Sequence, residues 1–230
     1  ADLAIELLLS KDQVWNRAQA IKLEEINKKR RGLMEETISK ARAIIDEDKE
    51  ITELIFIMDS EFHEGIIGLA AGRLKDEYYR PAVVAARGPK ETRASARSIP
   101  EFSIIDVIDK CADLLIRYGG HKGAAGFTVR NDNLESLVER LQHLAAKELA
   151  GKMLNPHISI DAQVGFLDLS DELLEFFERL EPCGMKNPRP MLMTRGVKVL
   201  DARVVGAKQQ HLKLTLMEGR RVYDAIAFRQ

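Results

Sequence analysis

The chain has few of the residues that mark disulfide-rich or wholly basic proteins. Its 230 residues include only two cysteines, Cys111 and Cys183, which lie far apart and form no Cys-x-x-Cys pair. This pattern is typical of a reduced, cytoplasmic protein. The formal net charge of −1 excludes a nucleic-acid binder that is basic throughout, so any site for a polyanion must be a local patch.

Several sequence motifs are also absent. No apolar run reaches the roughly 18–20 residues that cross a bilayer, and the N-terminus lacks a signal-peptide pattern. There is no P-loop, dinucleotide-binding glycine motif, Gly-x-Ser-x-Gly or His-Glu-x-x-His motif. The nearest group of metal-ligand types is Asp59, Glu61, His63 and Glu64, and the acids in it also suit the positive end of a helix dipole. We therefore predict no metal site and no complete catalytic centre in this chain.

The chain contains enough apolar residues, 45%, to build a core. Ser10 and Gln13 fit a capping box that begins a long helix reaching about Asp46. The order that follows is β-α-β-β-α-β-α, which predicts an α/β (α+β) domain with helices on a mixed sheet. Beyond a linker at residues 151–156, a strand at residues 157–164 and four further short β segments predict a small β-barrel.

Residues 119–126 read Gly-Gly-His-Lys-Gly-Ala-Ala-Gly and carry the clearest functional signal. We expect a helix from Ser103 to about Tyr118, ended by Gly119 as its C-cap, and then a strand over residues 126–130. Such an open turn lets backbone N–H groups and the imidazole of His121 approach an anion closely. Gly119, Gly120 and His121 are therefore candidate phosphate-binding residues.

Two further candidates, Ser95 and Arg97, lie on a predicted strand at residues 92–98. Arg93, Ser95 and Arg97 share one face, and two alanines share the other. An arginine binds phosphate through a planar, two-pronged set of N–H donors, and a serine hydroxyl adds another donor. Ordinary surface charge for Arg97 and a structural role for His121 are the alternative interpretations.

The segments Phe62–Leu74, Arg80–Pro81, Ser95–Ser98 and Gly119–Gly126 together resemble the DHHA1 domain of DHH-superfamily phosphoesterases. The order and spacing are most similar to the bacterial RecJ family of single-strand-specific DNA exonucleases. Phe62 stands where that family often has Trp.

Residues beyond the linker carry the same resemblance. Glu181–Pro188 is similar to the signature that enters the RecJ oligonucleotide-binding (OB) barrel, with Cys183 and Lys186 in place of the usual Phe and Gly. His211–Leu214 and Asp224–Phe228 are similar to strands of that barrel.

The resemblance implies three parts: the end of a DHH domain with a connecting helix (residues 1–48), a DHHA1 domain (49–152) and a C-terminally truncated OB-like domain (153–230). It implies a 5′→3′ exonuclease whose Mn²⁺ or Mg²⁺ ions are bound by a DHH domain absent from this chain. Arg97 and His121 would hold a backbone phosphate of single-stranded DNA near the scissile bond, with Ser95, Gly119 and Gly120 assisting.

The barrel would bind more distant nucleotides through basic and aromatic side chains. Its candidates are Lys208, Lys213, Arg220, Arg221, Phe166 and Tyr223, whereas Phe228 is expected in the barrel core. This piece alone is expected to be inactive. A DHH-type phosphodiesterase for short oligonucleotides or cyclic dinucleotides, and a catalytically silent interaction module, are the alternative functions.

Overall fold

The chain folds into two compact units, Ala1–Pro156 and His157–Gln230. The structure, a computed structural model, describes residues 2–47, 51–207 and 209–228. Lys208, one of the cations that the sequence predicted for the barrel, lies outside these ranges. Within them, no helix is both long enough and apolar enough to cross a membrane.

The first unit is a five-stranded mixed sheet with helices on both sides. Its elements are α1 (Asp2–Leu9), α2 (Gln13–Glu47), β1 (Ile55–Asp59), α3 (Glu64–Tyr78), β2 (Ala82–Arg87), β3 (Glu91–Arg97), α4 (Ile104–Asp109), β4 (Leu115–His121), β5 (Ala124–Arg130) and α5 (Leu134–Leu149). The strand order is β1-β2-β3-β5-β4. Only β1 and β2 run parallel, and the other neighbours are antiparallel. The predicted mixed sheet is confirmed.

Each face of the sheet carries its own apolar cluster. On one side, alternate residues of β2 such as Val84 pack with α3 and with the C-terminal half of α2, where Ile38, Ala41 and Ile45 form an apolar stripe at helical spacing. On the other side, Val83 and its neighbours pack with α4 and α5 around the fully buried Phe102. Because strand side chains alternate, β2 contributes to both clusters and is buried from Ala82 to Ala86.

The start of α2 differs from the expected capping box. The carboxylate of Asp12 accepts hydrogen bonds from the N–H groups of Val14 and Trp15, both at 3.0 Å. The hydroxyl of Ser10 accepts from the Asp12 N–H at 3.1 Å. Asp12 therefore caps the helix, and the predicted pairing of Ser10 with Gln13 is wrong.

The largest correction concerns residues 103–121. Helix α4 has only six residues, a short 3-10 turn follows at Ala112–Leu114, and the chain then enters strand β4. The predicted helix to Tyr118 and the C-cap at Gly119 are therefore wrong. Ile116, Tyr118 and two glycines form helices poorly, and antiparallel pairing with β5 satisfies the backbone of this segment instead.

The hairpin between β4 and β5 is held against the start of α4. Its two-residue loop is Lys122-Gly123, and the Lys122 carbonyl accepts from the Ile104 N–H at 3.2 Å. The Gly123 carbonyl accepts from the Ser98 N–H at 3.0 Å. Ser103 occupies the N-cap position but makes no capping hydrogen bond with its side chain. The loop backbone therefore satisfies the first amide of α4.

The second unit is smaller and mainly β. Its elements are β6 (Ala162–Gln163), α6 (Asp171–Arg179), β7 (Leu192–Met193), β8 (Lys198–Val205), β9 (His211–Glu218) and β10 (Arg221–Phe228). The last three form an antiparallel sheet in the order β10-β9-β8, and β6 pairs with β7 in parallel.

The four further β segments predicted for this unit are present as β7 to β10, and among the described residues they belong to two small sheets that do not close into a barrel, as a truncated OB-like domain implies. Two other expectations change. The strand predicted over residues 157–164 shrinks to β6. Phe228, expected in the core, is 65% exposed and packs edge-on against His211.

Helix α3 lies close to β3 because small residues face the sheet. A Cβ atom added at Gly68 would lie 3.1 Å from Ser95 Oγ and 3.2 Å from Arg97 Nη2, whereas one at Gly72 would lie 4.0 Å from Arg97 Cγ. We expect Gly72→Ala to raise the free energy of unfolding by about 0.5–1 kcal/mol, because alanine is the better helix former. Gly68→Ala should raise the free energy of unfolding by less, because the added methyl group would displace the Arg97 side chain. Urea unfolding of both variants tests this, and equal gains would contradict it.

The two cysteines differ in environment. Burial raises the pKa of the Cys111 thiol, which is fully buried, while Cys183 is half-buried. Because the thiolate is the reactive form, only Cys183 should react rapidly with a disulfide reagent in the folded chain. Labelling of Cys183→Ser measures Cys111 alone. If Cys111 reacts as fast in buffer as in urea, its buried position is wrong.

Candidate nucleic-acid interface

The register of three strands builds the candidate site. Residues 91–97 of β3 pair with residues 124–130 of β5, which pair in turn with β4. Directly opposed residues in antiparallel strands share a face of the sheet. The rows on one face are Arg97–Ala124–His121, Ser95–Gly126–Gly119 and Arg93–Thr128–Arg117. The predicted residues Ser95, Arg97, Gly119 and His121 therefore lie together.

A groove of about 540 Å³ follows this face. The first residues of α3 form one wall, with Glu64, Gly65, Gly68 and Leu69 at the surface, and strands β3, β5 and β4 form the floor. Ser95 and Gly126 lie in the middle of the floor and add little side-chain bulk, while Arg93, Arg97 and Arg117 lie at its margins. Gly119 and His121 share this face of the sheet by register, but they do not line the groove itself. The groove is therefore open in its centre and has basic residues at its margins.

Arg97 is fixed by its own strand. Its Nη1 donates to the Ala96 carbonyl at 2.8 Å and to Ser95 Oγ at 3.2 Å. The close position of Gly68 above both side chains limits their freedom further. None of the ion pairs in the described part of the chain includes Arg97, so its charge is available to an anion.

His121 is exposed at the end of β4 and is oriented by its own turn. Its Nδ1 accepts a hydrogen bond from the Gly123 N–H at 3.2 Å. In the neutral ring this leaves Nε2 as the N–H donor. A ring held in this way can donate to a phosphate oxygen, and it adds positive charge when it is protonated.

The two glycines before His121 differ in their surroundings. A Cβ atom at Gly119 would meet nothing within 4 Å. At Gly120 it would lie 2.3 Å from the Ala124 carbonyl oxygen and 2.5 Å from Ala125 Cα. Packing therefore requires glycine at position 120, which pairs with Ala125 on the opposite face. A direct role for Gly120 in phosphate binding stays a prediction.

Two arginines of the groove were not among the predicted binding residues. Arg93 pairs with Glu64 at the start of α3. Arg117 donates from Nε to Thr128 Oγ1 at 3.2 Å. The alternation along β3 predicted that Arg93 lies on the same face of the sheet as Ser95 and Arg97. Arg117 was missed because residues 104–118 were interpreted as a helix, which separated it from the glycines.

The acidic segment before α3 is occupied by structural contacts. Asp59 accepts from the Glu61 N–H at 2.7 Å, and Glu61 pairs with Lys40. His63 is the N-cap of α3 and accepts from the Gly65 N–H at 3.0 Å. Among residues 2–47, 51–207 and 209–228, no three His, Cys, Asp or Glu side chains come together so that they could hold a metal ion. Asp59, Glu61 and His63 thus each have a structural partner within the chain.

Lys213 and Arg220, two of the predicted cations of the second unit, differ in whether a carboxylate among the described residues already pairs with them. Lys213 Nζ lies 3.0 Å from an Asp224 carboxylate oxygen, and this contact lowers the pKa of Asp224, with a smaller effect from Thr215. Arg220 lies in the exposed turn between β9 and β10. Phe166 is buried against Tyr223, with ring centroids 5.1 Å apart. Lys213 is therefore partly neutralised, and Arg220 is exposed.

Two domain families match the chain, one in each of its two compact units. Residues 50–147 match the DHHA1 domain, and residues 160–230 match the RecJ OB domain. The single-stranded-DNA-specific exonuclease RecJ of Bacillus subtilis is 28% identical over 99% of this chain, which corresponds to 29% of that protein. The RecJ of Thermus thermophilus is 31% identical over 94% of this chain and 31% of that protein. The chain thus spans about a third of these relatives.

Solved structures give the same result. A crystal structure of Thermus thermophilus RecJ with Mg²⁺ matches 100% of this chain and 35% of its own length, with 25% identity and a TM-score of 0.77. The corresponding structure with Mn²⁺ has a TM-score of 0.78. The chain therefore contains a DHHA1 domain followed by an OB domain of the RecJ type, and it belongs to the RecJ family.

Proposed function

We propose that this chain is the DNA-binding portion of a RecJ-like exonuclease that degrades single-stranded DNA from the 5′ end in DNA repair and recombination. Its DHHA1 groove holds the backbone of the strand, and its OB domain contacts further nucleotides. The metal-bearing DHH domain that completes the enzyme belongs to a part of the polypeptide outside these residues. The whole protein acts in the cytoplasm.

One observation carries this proposal. Arg97, Ser95 and His121 lie on one open face of the sheet, which also carries Gly119 and Gly126. A guanidinium, a hydroxyl and an imidazole are all suited to phosphate oxygens, and contacts to phosphates carry no sequence information. Binding of this kind is independent of sequence, as removal of successive nucleotides requires.

The groove is a local basic patch on a nearly neutral chain. With a net charge of −1, the chain as a whole does not attract DNA strongly. Binding therefore depends on a few phosphate contacts and should weaken steeply as salt increases. Leu69, which is 44% exposed at the groove wall, offers apolar surface to a sugar or base.

Cleavage of a phosphodiester builds negative charge on the attacking and leaving oxygens, and divalent ions stabilise this charge in many nucleases. RecJ of Thermus thermophilus binds Mg²⁺ and Mn²⁺. We assign such ions to the DHH domain, because near the start of α3 Glu61 and Glu64 form ion pairs and His63 caps the helix. Arg97 and His121 assist by holding the phosphate.

The match to the RecJ OB domain over residues 160–230 favours this function over a phosphodiesterase for short oligonucleotides. In the second unit, Arg220 is the stronger candidate contact because Lys213 already pairs with Asp224. Lys213 reaches DNA only if a phosphate competes with that carboxylate.

Arg97→Gln and His121→Gln should each weaken binding of single-stranded DNA by this chain. Loss of one charge-assisted hydrogen bond corresponds to about a tenfold loss of affinity. The slope of log affinity against log salt should also fall by about one for Arg97→Gln. Fluorescence anisotropy with a labelled oligonucleotide measures both quantities.

Arg140→Gln is the matched control, since Arg140 lies on α5 behind the sheet and pairs with the exposed Asp113. It removes the same charge and should leave binding within twofold. If all three variants lose affinity equally, the effect is one of net charge, and the groove is not the binding site.

The chain alone should release no nucleotides from single-stranded DNA in the presence of Mn²⁺ or Mg²⁺. The assay is the release of acid-soluble label, with the complete protein as the positive control. Metal-dependent cleavage by these 230 residues would overturn the assignment of catalysis to the DHH domain. In the complete protein, Arg97→Gln and His121→Gln should lower cleavage much more than stability.

A further inference from the structure

We infer that Arg117, held in position by Thr128, forms a second phosphate-binding position in the groove, for a phosphate further along the strand than the one held by Arg97 and His121. This inference rests on the proposed function and extends it to the path that the strand follows. It adds a residue that lies outside the resemblance to known motifs.

The register places Arg117 at the far end of the groove floor. It is paired with Thr128 on β5, which is paired with Arg93 on β3. The row Arg97–Ala124–His121 lies four residues away along β5, which corresponds to roughly 14 Å at the rise of a β-strand. A single phosphate group does not span this distance, so the two rows must contact different phosphates.

Arg117 and Arg93 lie at this end of the groove, and they differ in whether a carboxylate among the described residues pairs with them. Arg93 pairs with Glu64, so most of its charge is compensated. Across the ion pairs that the structure describes, no carboxylate is assigned to Arg117. Among residues 2–47, 51–207 and 209–228, the one hydrogen bond of its side chain runs from Nε to the hydroxyl of Thr128.

The hydrogen bond to Thr128 restricts the conformations that the Arg117 side chain can adopt. Thr128 is 4% exposed, so its hydroxyl is a fixed acceptor in the floor of the sheet. Bonding at Nε leaves the two terminal nitrogens of the guanidinium free to donate to an oxyanion. An arginine fixed in this way loses less side-chain entropy when it binds phosphate.

The row between the two basic rows is suited to a strand that crosses it. Gly119 and Gly126 carry no side chain, and a Cβ atom at Gly126 would come no closer than 3.6 Å to its nearest neighbour, the Ala94 carbonyl. A sugar-phosphate backbone can therefore lie close to the sheet between Arg97 and Arg117.

The test compares ligand lengths. Arg117→Gln should weaken binding of a roughly ten-nucleotide strand about tenfold and leave binding of a dinucleotide unchanged, whereas Arg97→Gln should weaken both. Anisotropy suits the longer strand, and NMR shift titration of the chain suits the dinucleotide. Arg140→Gln is the control for loss of charge.

Two further variants separate charge from position. Arg117→Lys keeps the charge and should keep the salt slope while it loses affinity, because lysine lacks the planar donors. Thr128→Val removes the acceptor and should weaken only the longer strand, by about threefold. Circular dichroism of both variants verifies that the sheet is intact.

The outcomes separate this inference from the proposed function. If Arg97→Gln loses affinity and Arg117→Gln does not, the second position is wrong and the proposed function stands. An equal loss for both ligand lengths also overturns the second position, because Arg117 then contacts the same phosphate as Arg97. If the unsubstituted chain binds neither ligand, both proposals fail.

Discussion

The antiparallel pairing of β5 with both of its neighbours is the constraint on which the candidate site depends. Arg97, Ser95 and His121 come from two strands that never touch each other, and β5 aligns them. A slip of one residue in either pairing would turn one set of side chains to the opposite face. The buried residues Phe127 and Val129 prevent such a slip, because their burial in the core behind the sheet sets the register. The apolar side of the sheet thus determines the geometry of its basic side.

This dependence explains which elements the sequence could predict. Strand β3 was predictable because its arginines and alanines alternate with period two, and the stripe on α2 was predictable because it repeats with the helical period. Strand β4 was not, because apolar residues from Ile104 to Leu115 follow helical spacing and its pairing partner lies beyond a turn. Local patterns identify elements that are amphipathic on their own. They fail for an exposed edge strand such as β4, whose stability comes from one neighbour.

The same limit applies to the charges of the site. Residue chemistry alone selected Arg97 and His121 as candidates, but it did not show which cations are already paired. Glu64 compensates Arg93 across 29 residues of sequence, and Asp224 compensates Lys213 across a hairpin. The net charge of −1 says nothing about these pairs. Only the folded arrangement separates available cations such as Arg97 and Arg117 from neutralised ones.

The two glycines of β4 differ in whether packing within the chain requires them. Gly120 is required by the chain itself, because a side chain there would overlap the backbone of β5. Gly119 is not, because a Cβ atom would meet nothing. A glycine inside a strand costs about 0.5–1 kcal/mol of stability relative to alanine. On the proposed function, a ligand that approaches the backbone closely would account for a glycine at this position. Gly119 lies midway between the rows of His121 and Arg117, where a bound strand would press against the sheet.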